Sequence, residues 1–291
     1  MKKILMLTDF SEASRNALSF AQSFFSETIA DFHLLTIYPA QTGGFNGLKH
    51  NAEAARSATT SANQLQRMVI ELRQQATHEG HTFRSSAMPG NPLEVVEQIV
   101  QTEAYDFVVI GPQQNDTYGL FGNSAIGLVH ELKANILVVP TDATPRPIYQ
   151  VVLAIDFANL RDSKLLDPLK ELVTLKEALL TLLTIKTPDN SVIHPEQELH
   201  IRQFLNPIKP NVTRLQASSA KEGIDAYLAE HPVDLLVTIP RFKGMANAIL
   251  GDSHTRMQAY TPLVPLLTLY NDGSDERPEL VDHLSTVHSA L

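Results

Sequence analysis

Short apolar runs punctuate the chain, and polar stretches of helical period fill the intervals. Ile4-Leu5-Met6-Leu7, Leu34-Leu35-Thr36-Ile37, Phe107-Val108-Val109-Ile110 and Ile136-Leu137-Val138-Val139 are β-branched or Leu-rich and almost uninterrupted. Such runs predict strands buried on both faces of a parallel sheet, because a half-exposed strand would alternate apolar with polar. Between them the period becomes that of a helix. Ser11 stands as an N-cap before Ala13, Ala17, Leu18 and Ala21, which share one face. A long helix is predicted over Ala52 to Glu79, with Ala62, Leu65, Met68, Val69, Leu72 and Ala76 inward and Gly80 as its stop. Asn91-Pro92 opens a third helix with Leu93, Val96, Ile99 and Val100 inward, and a fourth spans Ser124 to Lys133.

The pattern then repeats. Lys3-Ile4-Leu5-Met6-Leu7-Thr8-Asp9-Phe10 returns as Gln150-Val151-Val152-Leu153-Ala154-Ile155-Asp156-Phe157, and Leu34-Leu35-Thr36-Ile37 recurs letter for letter as Leu182-Leu183-Thr184-Ile185. Tyr105–Val109 matches Val233–Val237, and Leu120–Ser124 matches Ile249–Ser253. Four matches in one order mark a duplication. Between the second and third matches the spacing shortens by about 20 residues, so the second copy has lost a block there. Its version of the long helix shrinks to roughly Glu196 to Leu205, between strands near 178–185 and 212–216. Its other strands are expected near 150–155, 234–239 and 264–269.

The predicted fold class is therefore α/β: two tandem doubly wound domains, each an open five-stranded parallel sheet with helices on both faces. The first domain is expected over residues 1–143 and the second, shorter one over 148–271, with the seam in the polar, Pro-containing segment Thr141–Pro147. Residues 272–291 form a tail in which Leu280, Val281, Leu284, Val287 and Leu291 fall at near-helical spacing. The last strands, Ile136–Val139 and Leu266–Leu269, would be bare sheet edges. Pairing them across a pseudo-two-fold covers both and makes a pseudo-dimer within one chain, with a further homodimer left open.

Composition narrows the class. A chain of 291 residues suits two domains, and 43% hydrophobic with 19% charged residues excludes a disordered chain. The absence of cysteine excludes disulfides, thiol catalysis and Cys-ligated metals. A net charge of −9 repels nucleic acid and anionic membranes, so neither is expected as a partner. The stretch Ile4–Leu7 is too short for an export signal, and no run approaches the ~20 residues of a bilayer crossing, so the cytoplasm is the expected location. His78-Glu79-Gly80-His81 reads as a solvated turn, and His-Glu-x-x-His is absent, so no metal is expected beyond a magnesium accompanying a nucleotide. Gly-x-Ser-x-Gly, the Gly-Lys-Ser/Thr phosphate loop and Gly-x-Gly-x-x-Gly are absent too, and no catalysis is expected.

In a sheet of this kind ligands bind outside the carboxyl ends of the strands. Asp9 stands just past the first strand, where its carboxylate can accept hydrogen bonds from a base edge or a ribose. Ile37 ends the second strand, where its backbone could face an adenine. Gly111 follows the fourth strand, and Gly122-Asn123-Ser124 opens the next helix, a plausible phosphate cradle of free N–H groups. The second copy offers Asp156, Ile185, Gly251, Ser253 and Thr255. Asp106 and Asp234 recur before the fourth strands, at the opposite end, where a turn or capping role is expected.

These segments resemble the universal stress protein family in its tandem two-domain form. The resemblance covers about residues 2–140 and 149–270. It rests on Thr8-Asp9-Phe10-Ser11-Glu12-Ala13-Ser14, Leu34–Pro39, Tyr105–Gly111, and Gly122-Asn123-Ser124 before Ile136–Pro140. It implies an adenine nucleotide alpha hydrolase-like fold and a cytoplasmic stress-response module that holds ATP or AMP, with at most slow ATP hydrolysis. By the same resemblance Asp9 and Ile37 would face adenine and ribose, and Gly111, Gly122 and Ser124 the phosphates. The family's glycine pattern is not intact: Gln114 stands three residues past Gly111, Asn123 splits Gly122 from Ser124, Ile239-Pro240 replaces Gly111-Pro112, and Asp252 lies in the second loop. Two readings follow, a nucleotide-holding module and an interaction scaffold that has lost its ligand.

Overall fold

The computed structural model describes residues 1–40, 47–76, 78–111, 132–157, 160, 162–188, 194–239 and 263–270. The first half runs β1 (Lys2–Leu7), α1 (Glu12–Phe24), β2 (Ala30–Tyr38), α2 (Gly47–Gln74), β3 (His81–Pro89), α3 (Pro92–Thr102), β4 (Phe107–Ile110) and β5 (Asn135–Val138). The second half runs β6 (Gln150–Ala154), a 3-10 turn (Ser163–Leu166), α4 (Asp167–Leu175), β7 (Leu179–Lys186), α5 (Pro195–Phe204), β8 (Asn211–Gln216), α6 (Ala220–Glu230), β9 (Leu235–Thr238) and β10 (Leu266–Thr268). The helix expected over Ser124 to Lys133 lies outside the described residues, apart from its last two positions; the tail 272–291 lies wholly outside.

All these strands join one sheet in the order β3-β2-β1-β4-β5-β10-β9-β6-β7-β8. Each half contributes five parallel strands in the doubly wound order, and β5 meets β10 antiparallel, Leu266 opposite Val138 and Thr268 opposite Ile136. The expected pairing of the two last strands is thus observed. The outer edges of the joint sheet are β3 and β8, where Thr82 and Arg84 on one and Arg214 on the other discourage further strand addition.

Equivalent backbone bonds hold the two halves to the same plan. Thr8 N donates to Leu35 O and Ile155 N to Leu183 O, each at 2.9 Å. Asp106 N donates to Lys3 O and Asp234 N to Gln150 O, again at 2.9 Å. Both aspartates return the bond through their side chains: Asp106 Oδ2 accepts from Lys3 N at 2.8 Å, and Asp234 Oδ2 from Gln150 N at 2.9 Å. The recurring aspartates therefore pin the fourth strand of each half to its first, a structural role.

β4 and β9 are buried along their whole length, as uninterrupted apolar strands of a covered parallel sheet must be. One apolar cluster runs through both halves on the face covered by α1, α2, α4 and α5, with Phe24, Leu65 and Met68 from the first half and Leu169, Leu172 and Ile201 from the second. The opposite face carries a second continuous cluster under α3 and α6, including Val96, Ile99, Ile224 and Tyr227. Each fully buried Leu, Ile or Phe contributes about 2 kcal/mol relative to exposure. Among the described residues, polar contacts cross between the halves on the first face: Lys2 Nζ reaches Glu171 Oε2 at 2.6 Å, and Lys176 Nζ reaches Glu27 Oε2 at 2.9 Å and lies 5.1 Å from the centre of the Phe24 ring.

Three details depart from expectation. α2 starts at Gly47 and stops at Gln74, and Ala62 and Ala76 are exposed. Leu65, Met68, Val69 and Leu72 do point inward, and Ala62 falls one residue off the row that Ser61 shares with them, which turns it about 100° away. Ala76 lies past the helix end. His81 is not a solvated turn residue: it is buried, its Nε2 lies 3.2 Å from the carbonyl oxygens of Phe25 and Thr28, and its ring meets Phe32 edge to face. His78 closes the turn instead, its Nδ1 accepting from Gly80 N at 2.8 Å.

Candidate functional site

The carboxyl ends of β1 and β2 and the inner face of α2 enclose a cleft of about 480 Å³. Asp9 and Phe10 enter it from the turn after β1, and Thr36, Ile37, Tyr38 and Pro39 from the end of β2. The facing wall is α2, through Arg56, Ser57, Thr60, Ser61 and Gln64. The cleft lies beside β1, whose neighbours β2 and β4 mark the point where strand order reverses.

Local bonds set the turn that presents Asp9. Thr8 is wholly buried, and its Oγ1 accepts from Phe10 N at 3.1 Å and lies 3.0 Å from Ser14 Oγ. Asp9 Oδ1 accepts from Ser11 N at 3.0 Å, and Ser11 Oγ caps α1 by accepting from Ser14 N at 3.1 Å. Phe10 adopts a left-handed backbone at φ 67°, a conformation that costs a non-glycine residue on the order of 1 kcal/mol and that the flanking bonds sustain. Among the described residues Asp9 Oδ2 has no partner, so one oxygen holds the turn while the other serves the cleft.

Ile37 acts through its backbone, because its side chain is 1% exposed. In a parallel strand successive residues direct their N–H and C=O to alternate sides. Leu35 O accepts from Thr8 N on the β1 side, and Tyr38 O accepts from Gly90 N at 2.9 Å on the β3 side. The Ile37 N–H and C=O therefore face the β1 side, beyond the place where β1 has ended. One donor and one acceptor, two atoms apart in the chain, open on the cleft next to Asp9.

Gly111 is buried against α1. A Cβ built there would lie 2.3 Å from Ala13 O and 2.9 Å from Ala17 Cβ, so the glycine is required by the helix packed on it. Gly122, Asn123, Ser124, Gly251, Ser253 and Thr255 lie outside the described residues. In the second half Asp156 again follows the first strand, but α4 begins only at Asp167, after a 3-10 turn capped by Asp162 Oδ1 on Lys164 N at 2.8 Å. Ile239, the counterpart of Gly111, is 3% exposed and belongs to the cluster that holds Phe157, Leu160 and Leu166. Ile185 is also buried, and α6 presses on it so closely that a Cβ on Gly223 would lie 2.6 Å from Ile185 Cγ2.

Nothing in the apolar periodicity pointed to Arg56, Ser57, Thr60, Ser61 and Gln64. The available signal was that 57, 61 and 64 continue the row of 65, 68 and 72, so the inner face of one helix turns polar toward its N-terminal end. Gly90, at φ 147°, was missed as well; it sits in the bend where β3 gives way to the Asn91 cap of α3, and its N–H binds the end of β2.

A second polar cluster lies apart from the cleft, under the end of α3. His33 Nδ1 is 2.5 Å from Tyr105 Oη and Nε2 is 2.5 Å from Ser86 Oγ. Arg84 donates to Tyr105 Oη at 2.8 Å and pairs with Glu103 and Asp31. Burial, reinforced by the Arg84 charge, lowers the His33 pKa to about 4, while Glu103 and Asp31 pull the other way. Glu103 is held below the usual carboxylate range, chiefly by its hydrogen bond from Arg84. Every polar atom of the imidazole is occupied, so the group ties β2, β3 and the approach to β4 together and leaves nothing for a ligand. Among the described residues no group of three or more His, Asp or Glu side chains could hold a metal ion.

A doubly wound α/β sheet with a polar crevice at the strand ends beside its reversal point defines the class. The universal stress protein family model matches residues 1–140, so the first half of the chain belongs to that family. No curated protein sequence matches. The fold of the whole chain is similar to that of a universal stress protein from Archaeoglobus fulgidus, at 16% identity, with 92% of this chain and 96% of that one covered and a TM-score of 0.68. It is also similar to a functionally unknown protein from Pseudomonas aeruginosa (15% identity, 92% of each chain, TM-score 0.59). A third likeness is to the cytoplasmic domain of a prokaryotic cation chloride cotransporter (10% identity, 94% and 97% covered, TM-score 0.57). At these identities the likeness is one of fold. Among the described residues no helix is long and apolar enough to cross a membrane.

Proposed function

We propose that the chain is a cytoplasmic binding module of the universal stress type, which holds an adenine nucleotide, ATP or AMP, in the first-half cleft and turns it over slowly at most. The observation that carries this reading is the juxtaposition of the Asp9 carboxylate with the outward-facing N–H and C=O of Ile37. A purine edge presents a donor beside an acceptor, and a ribose presents two hydroxyls; this set of protein groups matches both. The apolar surfaces of Phe10 and Pro39 suit the faces of a flat ring. The titratable lining residues are Asp9, Tyr38 and Arg56, a set suited to binding and orienting a ligand. Magnesium would accompany ATP through the phosphates. Isothermal titration of ATP, ADP and AMP into the full chain tests the reading: saturable heat with at least one of them is expected, and silence with all three at millimolar concentration sinks it.

The scaffold reading applies best to the second half. There Ile239 stands in place of Gly111, so an apolar side chain occupies the end of the fourth strand. Its task is to cover β5 and complete the joint sheet. Mass spectrometry of what leaves the purified protein on denaturation distinguishes the two: one nucleotide per chain supports a divided role, and two per chain contradicts it.

A further inference from the structure

The adenine reading leaves the His33 cluster without a purpose, and the frame does not need it. At the matching strand positions the second half carries Thr181, Asn211, Thr213 and Val233 where the first has His33, Arg84, Ser86 and Tyr105. β7, β8 and β9 form without any of these groups, and a buried polar network is a costly substitute for apolar packing. The imidazole has no atom left for a further partner. Its neighbour Ser86 differs: it is only half-buried and stands on β3, an open edge of the joint sheet.

Counting donors and acceptors gives each proton of the cluster a place. Glu103, held in its ionised form by Arg84, only accepts, so Tyr105 gives its hydroxyl proton to Oε2 at 3.0 Å. Tyr105 Oη accepts from Arg84 through one lone pair, and its other lone pair takes the proton on His33 Nδ1. Burial and the Arg84 charge keep the imidazole neutral near pH 7. Nε2 therefore carries a lone pair, and the Ser86 hydroxyl donates to it at 2.5 Å. Hydroxyl, imidazole, phenol and carboxylate each donate to the next. That polarity is the resting arrangement of a hydroxyl nucleophile, its base and the groups that orient the base.

We infer that Ser86 is a nucleophilic modification site for an activated acyl donor, with His33 as its base and Tyr105 and Glu103 as positioning residues. In the step, a lone pair of Ser86 Oγ forms a bond to the acyl carbon while His33 Nε2 takes the hydroxyl proton. The bond from that carbon to the leaving oxygen or sulfur then breaks. The leaving atom departs with the electron pair and receives the proton from Nε2, and Ser86 is left as an ester. An acyl donor fits better than a phosphoryl donor, because Asp31 and Glu103 outnumber Arg84 and repel an anion. The alternation that turns Gly90 N–H toward β2 turns Ala87 N–H, next to Ser86, toward the open edge. No described strand takes that donor, so it is available to an acyl oxygen.

The test treats the full-length chain with p-nitrophenyl acetate and maps the acetylated residues by peptide mass spectrometry. Ser86 is expected to gain an acetyl group at least about tenfold faster than its exposed neighbour Ser85. His33→Gln keeps a donor and an acceptor but no base; with an unchanged thermal transition, it should slow Ser86 by about tenfold or more. The wild-type chain supplies a readout that needs no variant. His33, faced by Asp31, Arg84, Glu103 and Tyr105, stays neutral from about pH 8 to about pH 6, so the Ser86 rate should hold level there. An unassisted hydroxyl loses about tenfold per pH unit over the same range. Tyr105→Phe should slow Ser86 less than His33→Gln does and keep the level profile, because the base remains. The inference is overturned if Ser86 gains no acetyl group, if Ser85 reacts as fast, if folded His33→Gln reacts undiminished, or if the wild-type rate at Ser86 falls in step with hydroxide.

Discussion

The first half draws α1 tight against the end of its fourth strand, and the second half fills the equivalent place with a side chain. At Gly111 the helix backbone leaves no room for a Cβ; at position 239 an isoleucine fits and is buried. The cause lies in the turn after the first strand. Thr8, Asp9 and Ser11 bond the backbone so that α1 starts at Glu12, whereas the second half spends a 3-10 turn before α4 begins at Asp167. The same strand order thus supports two solutions at the strand ends: a polar cleft beside a long helix, and an isoleucine buried in the cluster of Phe157, Leu160 and Leu166. A shared fold is a shared frame, and the loops decide whether it holds a ligand.

The largest effects should come from exchanging these solutions. Gly111→Val forces two methyls into the backbone of α1 and is expected to lower stability by about 3 kcal/mol or more, read from the urea midpoint. A cost under about 1 kcal/mol would show that α1 yields and that the contact is not what fixes the cleft. Ile239→Ala removes three buried carbons and should cost about 3 kcal/mol; a near-neutral result would mean that the isoleucine is loosely packed.

Acid should separate the halves next. His33 titrates at about 4 in the fold, against about 6.5 in an unfolded chain, so the unfolded state takes up the proton first as pH falls. Its effect on stability is absent above about pH 6.5, destabilises progressively as pH drops toward 4, and levels off below that, for a total of about 2–3 kcal/mol. The position corresponding to His33 is Thr181, which does not titrate. Amide exchange at pH 7 and pH 5 should therefore show protection falling in β2 and β3 more than in β7 and β8, and His33→Thr should shrink the difference to the part owed to His81, whose pKa burial also lowers; equal losses would contradict the pairing. Smaller still is the bridge between halves. Lys176→Met removes the Glu27 pair and the charge over Phe24 and should cost about 1 kcal/mol by thermal melting. At the edge, half-exposed Arg214 pairs with Glu198, which Arg202 also approaches, and Arg214→Gln should cost less than about 1 kcal/mol; a larger loss would mark the pair as more deeply buried than an edge strand allows.

Much of this architecture was legible in the chain. The letter-for-letter return of Leu34–Ile37 as Leu182–Ile185 revealed the duplication, and uninterrupted apolar runs identified buried strands because burial on both faces removes the need for alternation. Edge logic, beside the family resemblance, anticipated the meeting of β5 and β10. The cleft was half legible. Asp9 and Ile37 follow from the rule that ligands lie at strand ends. Arg56 and its neighbouring hydroxyls escaped because apolar periodicity says which residues enter a core and is silent about polar residues turned to a cavity. Gly111 was open to two explanations, ligand approach or helix packing, and only the positions of Ala13 and Ala17 distinguish them. The His33 cluster left no local trace, since its partners at 84, 86, 103 and 105 arrive from far along the chain.

The antiparallel seam between β5 and β10 has one more implication. When two identical chains associate through such a seam, any residue favouring a ligand on one side is copied on the other, and selection must judge both together. Covalent fusion ends that obligation. Each half can drift toward its own task while the tether keeps its companion at a fixed high local concentration, immune to dilution. A glycine at 111 and an isoleucine at 239 can coexist only in a molecule whose symmetry has been broken in this way.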